Sequence, residues 1–402
     1  MKKALYLILR LFIYKYFFMK KYFWFGFTGL LLFEIANVYF IMPMPGSQQM
    51  NSIDAAYFLY KWRWVFRVLF GLMLIAGLLK STRGAAVWKR KWLLIFPIAV
   101  LAVVMYMANF KMAADAMFKQ PKQLLMANAQ SNKVDSNRLV LGVSINGEAK
   151  AYPIQFLGYH HHIQDTVGGK ALLVTYCTVC RTGRVFEPIV NGKKEKFRLV
   201  GMDHFNAMLE DATTKSWWRQ VNGEAIAGKL KGQLLPEVLS MQTSLAEWLR
   251  LNPASLIMQA DPAFIKVYDS TLKYESGESR SNLTGTDSLS WKDKSWVVGI
   301  KAGKQTKAYD WNELKTKRLI VDKIGELPVI LVLSPDNKSF FAFERPDYVN
   351  TFFLHHDTLI YKNRFFRIDG KGIDTLFSLK PLPASQEFWH SWRTFYPETL
   401  RN

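Results

Sequence analysis

Two parts of the chain match each other without a gap, and this match limits the folds that the chain can adopt. Residues 142–152, 163–168 and 171–176 align at one constant offset with residues 299–309, 320–325 and 328–333. The ends agree at a shorter offset, where 247–253 resembles 391–397. Self-similarity of this kind indicates a repeated structural unit. We therefore expect two related copies of one unit, at residues 137–262 and 293–402, joined by a polar linker at 263–292.

Short β-type runs separated by turn residues begin at Leu139 and continue through both copies. Apolar and β-branched runs of this length, bounded by Gly, Asn and Asp, are typical of strands. The pattern predicts a β-rich α+β fold for the repeated part. Residues 111–136 form a connecting segment before it.

Three long apolar stretches precede residue 111, at about 22–42, 64–79 and 92–110. The first and third are long enough to cross a bilayer. The second is shorter and has Arg67 near its start, so its basic ends would have to snorkel. No small-residue cleavage pattern follows Met42, which argues against a signal peptide. We expect three transmembrane helices, with the lipid bilayer as a partner.

The positive charges suggest how such spans would be oriented. Lys and Arg cluster before the first stretch and between the second and third, and residues 1–110 carry 14 − 2 = +12 of the formal charge of +21. The positive-inside rule then places the N-terminus in the cytoplasm and everything after Phe110 outside it. This describes an integral protein of a bacterial inner membrane with a periplasmic domain. No basic stripe with a recognisable module occurs, so a nucleic-acid partner is not expected.

Cys177 and Cys180 are the only cysteines of the chain. They follow the apolar run 171–176, and Thr182-Gly183 signals a turn before a returning strand at 184–186. The CxxC motif is thus predicted where one strand doubles back on another. This shape is closer to a metal-binding cysteine knuckle than to a thioredoxin site, whose second cysteine lies inside a helix.

The repeat provides an internal control for these residues. The second copy has Lys317, Ser334 and Asn337 at the positions of His160, Cys177 and Cys180. The shared fold therefore does not require a histidine or thiols at these positions. We interpret His160, Cys177 and Cys180 as the catalytic residues of a site in the first copy, and the second copy as a supporting domain.

Histidines near the motif could complete a metal site. If residues 159–163 are extended, His160 and His162 share one face of a strand, and His204 follows the next strand pair. One or two of them added to the cysteines would give a Cys₂His or Cys₂His₂ site. Thiolate and imidazole ligands suit zinc or copper. The predicted metal ligands are Cys177, Cys180, His160, His162 and His204.

Other interpretations of the same residues remain open. The histidines could form a solvated turn, and the cysteines could form a structural disulfide, although so small a loop constrains the unfolded chain little. The leading hypothesis is a metal-binding or metal-dependent redox site. The alternatives are a thiol–disulfide oxidoreductase that uses Cys177 and Cys180, and a non-enzymatic envelope interaction protein. The remaining partner would be an unknown small molecule or an envelope protein, and whether the chain is an enzyme stays open.

Several motifs resemble one prokaryotic family. They lie at 159–169, 175–180, 211–218 and 223–228, and the ending at 388–399 agrees as well. On these residues, the part from about 137 to 402 resembles the family catalogued as domain of unknown function 3179. The resemblance implies that His160, Cys177, Cys180, Asn206 and Trp218 match family positions. The chain departs from the family pattern at His161, Thr178 and His204, where Glu, Pro and Asn are usual.

Overall fold

The computed structural model describes the backbone of residues 2–82, 94–374 and 376–402. The first two positions of the third predicted span, 92 and 93, lie outside the described residues, as do Arg83, Lys89, Arg90 and Lys91. The chain divides into two compact units. One holds the residues up to 117 together with 200–203, and the other holds 118–199 and 204–402.

The N-terminal unit is helical. Its α-helices are α1 (Lys2–Tyr39), α2 (Ile53–Lys61), α3 (Arg63–Thr82), α4 (Ile95–Tyr106) and α5 (Ala114–Met117), with a 3₁₀ turn at Ser47–Gln49 and a π-helical turn at Met107–Lys111.

The length and hydropathy that a membrane span needs are not found together in any one of the described helices. Only α2 and α3 up to Leu79, taken as a pair bent by 62°, have both. Glu34, Trp24 and several Tyr residues lower the hydropathy of α1, and α4 ends after 12 residues. The three separate spans predicted from the sequence are therefore not supported.

Glu34 lies at the centre of a buried polar cluster in this unit. Arg67 of α3 donates to both of its carboxylate oxygens, at 2.7 and 2.9 Å. Asn109 donates to the same carboxylate at 2.9 Å and accepts from Arg67 at 2.6 Å. The Glu34 side chain is fully buried, so this bidentate pair replaces the water that its charge would otherwise need.

The second unit alternates short strands with short helices. Its strands are β1 (Met126–Ala127), β2 (Leu139–Ile145), β3 (Glu148–Pro153), β4 (His162–Val167), β5 (Lys170–Cys177), β6 (Thr182–Phe186), β7 (Ile189–Val190), β8 (Lys193–Lys194), β9 (Phe197–Asp203, its last four residues assigned to the first unit), β10 (Asn206–Asp211), β11 (Trp217–Arg219), β12 (Ala225–Ala227), β13 (Met241–Ser244), β14 (Leu256–Met258), β15 (Trp296–Ala302), β16 (Gln305–Asp310), β17 (Leu319–Ile324), β18 (Leu327–Leu333), β19 (Phe340–Glu344), β20 (Phe353–His355), β21 (Thr358–Tyr361), β22 (Arg364–Arg367), β23 (Lys380–Pro381), β24 (Ala384–Phe388) and β25 (Leu400–Arg401). Its α-helices are α6 (Ile154–His160), α7 (Leu245–Leu251), α8 (Ile265–Tyr268), α9 (Leu272–Glu275), α10 (Trp311–Lys317) and α11 (Trp389–Phe395).

These strands form several small sheets, so the predicted β-rich α+β class is confirmed. The strand orders are β1-β14-β3-β2-β13, β4-β5-β6, β7-β8, β12-β11-β10-β9, β24-β15-β16-β25, β17-β18-β19-β23 and β20-β21-β22. Most neighbours are antiparallel, and β3–β14 and β16–β25 are parallel pairs.

Buried apolar residues from alternate strand positions fill the space between these sheets and the short helices. One core gathers Val143, Ile163, Val174 and Val185, and another gathers Ile300, Ile320, Leu331 and Phe340. The β5 strand is buried along most of its length. As a result, the CxxC motif at its end lies inside the protein.

Candidate functional site

The CxxC motif spans the turn of a β-hairpin. Strands β5 and β6 pair in antiparallel register, with Cys177 opposite Thr182. Residues 178–181 make the turn, and Arg181 adopts a positive φ of 58° to close it. Local sequence explains this shape, because the apolar run before the motif favours a buried strand and Thr182-Gly183 favours reversal.

The two cysteines are free and fully buried, and their sulfurs face one backbone oxygen. The thiols of Cys177 and Cys180 both donate to the carbonyl oxygen of Phe205, at 3.6 and 3.3 Å. Because both sulfurs point to one atom, they are turned toward the same small region of the interior.

Phe205 reaches the sulfurs from a strained turn between β9 and β10. His204 and Phe205 have φ values of 49° and 66°. Two successive non-glycine residues in the left-handed region cost free energy, on the order of 1 kcal/mol or more each, and such strain is concentrated at functional sites. The turn presents the Phe205 carbonyl to the cysteines, and His204 occupies the adjacent turn position.

Hydrogen-bond donors surround the sulfur of Cys177. Burial by itself raises the pKa of this thiol. The Cys180 thiol and the backbone N–H groups of Ala207, Cys180 and Val179 outweigh that effect, and they hold the pKa of Cys177 below its ordinary value. The site is therefore arranged to accept negative charge on this sulfur.

The sulfur of Cys180 interacts with side-chain hydrogen-bond donors. The Asn206 amide donates to its sulfur at 3.5 Å, and it is oriented by a second bond to Gln220 at 3.0 Å. Ser391 also interacts with this sulfur. Burial and the neighbouring Cys177 nevertheless raise the pKa of Cys180 well above its ordinary value. The first thiol to ionise is thus Cys177.

Residues far along the chain hold the CxxC turn in place. The backbone N–H of Phe388 donates to the Cys180 carbonyl at 2.9 Å. The Lys294 ammonium donates to the carbonyl of Val179, between the two cysteines, at 3.1 Å. His390 lies 3.1 Å from the same ammonium. These contacts bring residues of 293–402 into a site that the sequence placed in 137–262 alone.

The structure does not join His160 to the cysteines. Its Nδ1 contacts the carbonyl oxygen of Lys119 at 2.5 Å, and its Nε2 contacts the hydroxyl of Tyr268 at 2.7 Å. Burial lowers its pKa, although the Lys119 carbonyl opposes this. Both ring nitrogens are thus occupied within a cluster of aromatic side chains.

His161 and His162 are also engaged elsewhere. The chain is not extended at 159–163: α6 ends at His160, His161 has a φ of 60°, and β4 begins at His162. His161 bonds to the Tyr176 carbonyl at 2.9 Å. His162 donates from Nε2 to the Phe197 carbonyl at 3.1 Å and accepts from Gln120 at 3.2 Å.

Within the described residues, no three His, Cys, Asp or Glu side chains are grouped so that they could hold a metal ion. The predicted ligand set of Cys177, Cys180, His160, His162 and His204 is therefore not supported as a single cluster. The geometry unites the two cysteines and separates them from His160, because helix α6 directs that ring toward Tyr268.

Four residues of the observed site were not singled out from the sequence: Phe205, Lys294, His390 and Ser391. Phe205 and His390 carried a partial signal. Phe205 lies beside the quoted family position Asn206, and His390 lies in the ending that resembles the family. Ser391 lies in the same ending. Lys294 carried no signal, because an isolated Lys is common on any surface.

The fold and the site define a β-rich α+β protein with a buried pair of thiols at a hairpin turn. A family model described as "Protein of unknown function (DUF3179)" matches residues 119–399, and the chain belongs to that family. The resemblance deduced from the motifs is thereby confirmed. No curated protein and no solved structure matches the chain.

Proposed function

We propose that Cys177 and Cys180 bind one soft metal ion, and that monovalent copper is the ion they suit best. The observation that carries this proposal is the pair of buried sulfurs, both facing the Phe205 carbonyl and both served by hydrogen-bond donors. Both cysteines are 0 % exposed. A site of this kind excludes a large substrate and admits a small ion.

The number of sulfurs favours copper over zinc. Structural zinc sites use four protein ligands, and catalytic zinc sites use three with a water. The described residues group no third His, Cys, Asp or Glu with the two thiols. Monovalent copper is soft, prefers thiolates and is satisfied by two of them. When both thiols bind it, two protons are released and the centre carries one negative charge.

The protein would work at a membrane, with the second unit outside the cytoplasm. The six Lys and Arg residues before residue 22 support a cytoplasmic N-terminus. The bent pair of α2 and α3 supplies a segment with the length and composition for crossing. A reporter fused after Asn402 that is active only outside the cytoplasm tests the proposal, and activity of a cytoplasmic reporter would contradict it.

Matching contacts support two copies of one unit. Lys150 pairs with Asp165 at 3.1 Å, as Lys307 pairs with Asp322 at 2.6 Å. A glycine also faces an indole ring in each copy. A Cβ added at Gly142 would lie 2.3 Å from the ring of Trp248, and one at Gly299 would lie 2.0 Å from the ring of Trp392. The strand–strand–helix–strand–strand order of β2–β5 likewise recurs in β15–β18.

Copper titration of the purified, reduced chain tests the metal proposal. Under anaerobic conditions, in competition with a copper(I) chelator, we expect one ion per chain. Cys177→Ser and Cys180→Ser should lose it. Ser334→Ala and Asn337→Ser alter the matching positions of the second copy and should keep it, as should His160→Ala. Loss of all copper to the chelator in the wild type would overturn the proposal, as would retention in both cysteine variants.

A thiol–disulfide function is the second candidate. The two thiols donate to the same carbonyl oxygen, that of Phe205, so they are neighbours in the reduced state. Oxidation would join the sulfurs and pass two electrons and two protons to a small disulfide, which would be reduced to two thiols. Equilibration with a thiol–disulfide buffer, followed by mass spectrometry, distinguishes this function. Reversible formation of the disulfide in a chain that binds no copper would favour it.

A further inference from the structure

Lys294 occupies an unusual position for a lysine. Its ammonium donates to the carbonyl oxygens of Val179 and Leu283, at 3.1 and 2.6 Å, and to Nε2 of His390 at 3.1 Å. A protonated amine has three N–H donors. Here two carbonyl oxygens accept, and Nε2 of His390 accepts in the tautomer that is protonated on Nδ1. These acceptors favour the charged form, whereas burial lowers the pKa of Lys294.

The ammonium lies against the CxxC turn itself. Val179 is the residue directly before Cys180, and its carbonyl accepts the lysine. Burial lowers the pKa of Lys294, and the nearby Cys180 and Cys177 oppose this effect. The ring of Phe388, whose backbone N–H binds the Cys180 carbonyl, covers the ammonium at 4.7 Å. This ring limits the water that could screen the interaction.

We infer that Lys294 supplies the positive charge that balances a two-thiolate copper centre, and that His390 positions Lys294. The inference rests on the proposed function. Two thiolates and one Cu⁺ have a net charge of −1, and the half-buried ammonium of Lys294 brings the site to zero. Burial of an unbalanced charge is costly, so a nearby opposite charge favours the ion-bound form.

His390 acts on Lys294 through a single ring nitrogen. Nε2 lies 3.1 Å from the ammonium and 3.1 Å from the carbonyl oxygen of Val179. It accepts from the ammonium in the tautomer that carries its proton on Nδ1, and burial lowers the pKa of His390 to about 4, which keeps the ring neutral. The ring stacks beside Phe388 and meets Phe205 edge on. The imidazole thereby fixes the direction of the lysine side chain. His390 is a positioning residue, since it reaches the sulfurs only through Lys294 and the turn.

The charges around this pair are few. Asp293 is adjacent in sequence and is paired with Arg393 at 2.6 Å. Its effect on Lys294 is smaller than that of the cysteines. No second cation is required for the balance, because one ammonium offsets one negative charge.

The test compares copper affinity and proton release in wild type, Lys294→Met, Lys294→Arg and Lys292→Met. Lys292 is exposed and two residues away, so its variant is the matched control. We expect Lys294→Met to weaken copper(I) binding about ten- to a hundredfold, the range typical for residues that support metal ligands. Lys294→Arg should recover part of the loss, and Lys292→Met should bind as the wild type does.

Proton release separates a charge role from a merely structural one. In weak buffer with an indicator dye, the wild type should release two protons for each copper bound. In Lys294→Met, we expect fewer than two, because a retained proton replaces the missing positive charge. Circular dichroism of the metal-free variants establishes that they are folded.

The outcomes distinguish the two proposals. A wild type that binds no copper overturns the proposed function, and the inference falls with it. A wild type that binds copper, with a folded Lys294→Met that matches it in affinity and in protons released, overturns the inference alone. If Lys294→Met is unfolded, the copper affinity and proton release of Lys294→Arg and His390→Ala test the inference instead. Wild-type affinity and proton release in His390→Ala would overturn the positioning role.

Discussion

The side-chain amide of Asn206 donates a hydrogen bond to the sulfur of Cys180 at 3.5 Å. Gln220 fixes the orientation of that amide by accepting from it at 3.0 Å, and the oxygen of Asn206 accepts from the backbone N–H of Val221. The amide is thus held with its donor toward the sulfur. Asn206 is therefore a family position whose side chain contacts a cysteine sulfur in the structure.

Asn206→Asp should weaken copper binding more than Asn206→Ala does. Alanine removes one donor, whereas aspartate also places a negative charge beside the sulfur, and loss of a supporting bond typically costs ten- to a hundredfold in metal affinity. Chelator competition measures the change. Asn222→Asp alters an asparagine that bonds to Glu224, away from the thiols, and serves as control. Equal affinity in Asn206→Asp and Asn222→Asp would show that the bond to Cys180 is unimportant.

Gly142→Ala and Gly299→Ala should destabilise the protein by similar amounts. A Cβ at either position would lie within 2.3 Å of an indole ring, and overpacking of this kind costs about 1–3 kcal/mol or more. Denaturant unfolding of the purified chain measures both values. Gly71→Ala, which meets nothing within 4 Å, should be neutral or slightly stabilising. A large loss in one variant and none in the other would count against two equivalent copies.

Glu34→Ala should lower the stability of the N-terminal unit markedly. It leaves the guanidinium of Arg67, whose side chain is 11 % exposed, without its bidentate partner. Breaking a buried ion pair costs about 3–5 kcal/mol. Thermal unfolding of the purified chain measures the loss. Lys317→Ala removes the exposed pair with Glu313 and should change stability by less than about 1 kcal/mol. If Glu34→Ala and Lys317→Ala both changed stability by a similarly small amount, Arg67 would have another partner in the variant.

Acid should destabilise the second unit through His162. Burial disfavours the charged ring and lowers the pKa of His162 from 6.5 to about 4, although the Phe197 carbonyl opposes this. A second ring proton, on Nδ1, would also meet the Gln120 amide. Between these values the unfolded chain binds a proton that the folded chain does not. Stability is therefore full above pH 6.5 and falls toward pH 4, by up to about 3 kcal/mol from this residue.

His162→Gln should reduce this pH dependence. Glutamine cannot titrate, so the free energy of unfolding should fall less steeply between pH 6.5 and 4 than in the wild type. Denaturant unfolding at several pH values measures the slope. The Cys177→Ser variant, which keeps all the histidines, should show the wild-type slope. An unchanged slope in His162→Gln would assign the acid sensitivity to other groups.

Local features of the sequence predicted the CxxC hairpin well. The apolar run before Cys177 and the turn residues after Cys180 act over neighbouring positions, so the strand pairing follows from them. The surroundings of His160 were not predictable in this way. Its ring direction depends on where α6 ends, and the left-handed His161 turns the next residue away from it.

The contacts of Lys294 were also beyond sequence reasoning. Lys294 and Val179 are 115 residues apart, and their approach follows from the packing of β24 beside β6. No periodicity or motif predicts that Lys294 lies close to Val179, because this contact depends on how distant elements pack. The same holds for the carbonyl of Phe205, since the acceptor is a backbone atom that every residue possesses.

The burial of the CxxC turn affects the rate at which an ion binds and dissociates, as well as the affinity for it. The bonds from Lys294 and Phe388 to this turn, with Phe205 on the sulfur side, leave both cysteines without exposed surface. An occupant could enter or leave only when this part of the chain opens, so the opening rate sets how long it stays. Slow exchange of this kind favours long retention of a bound ion. It would suit a protein that stores the ion better than one that transfers it rapidly.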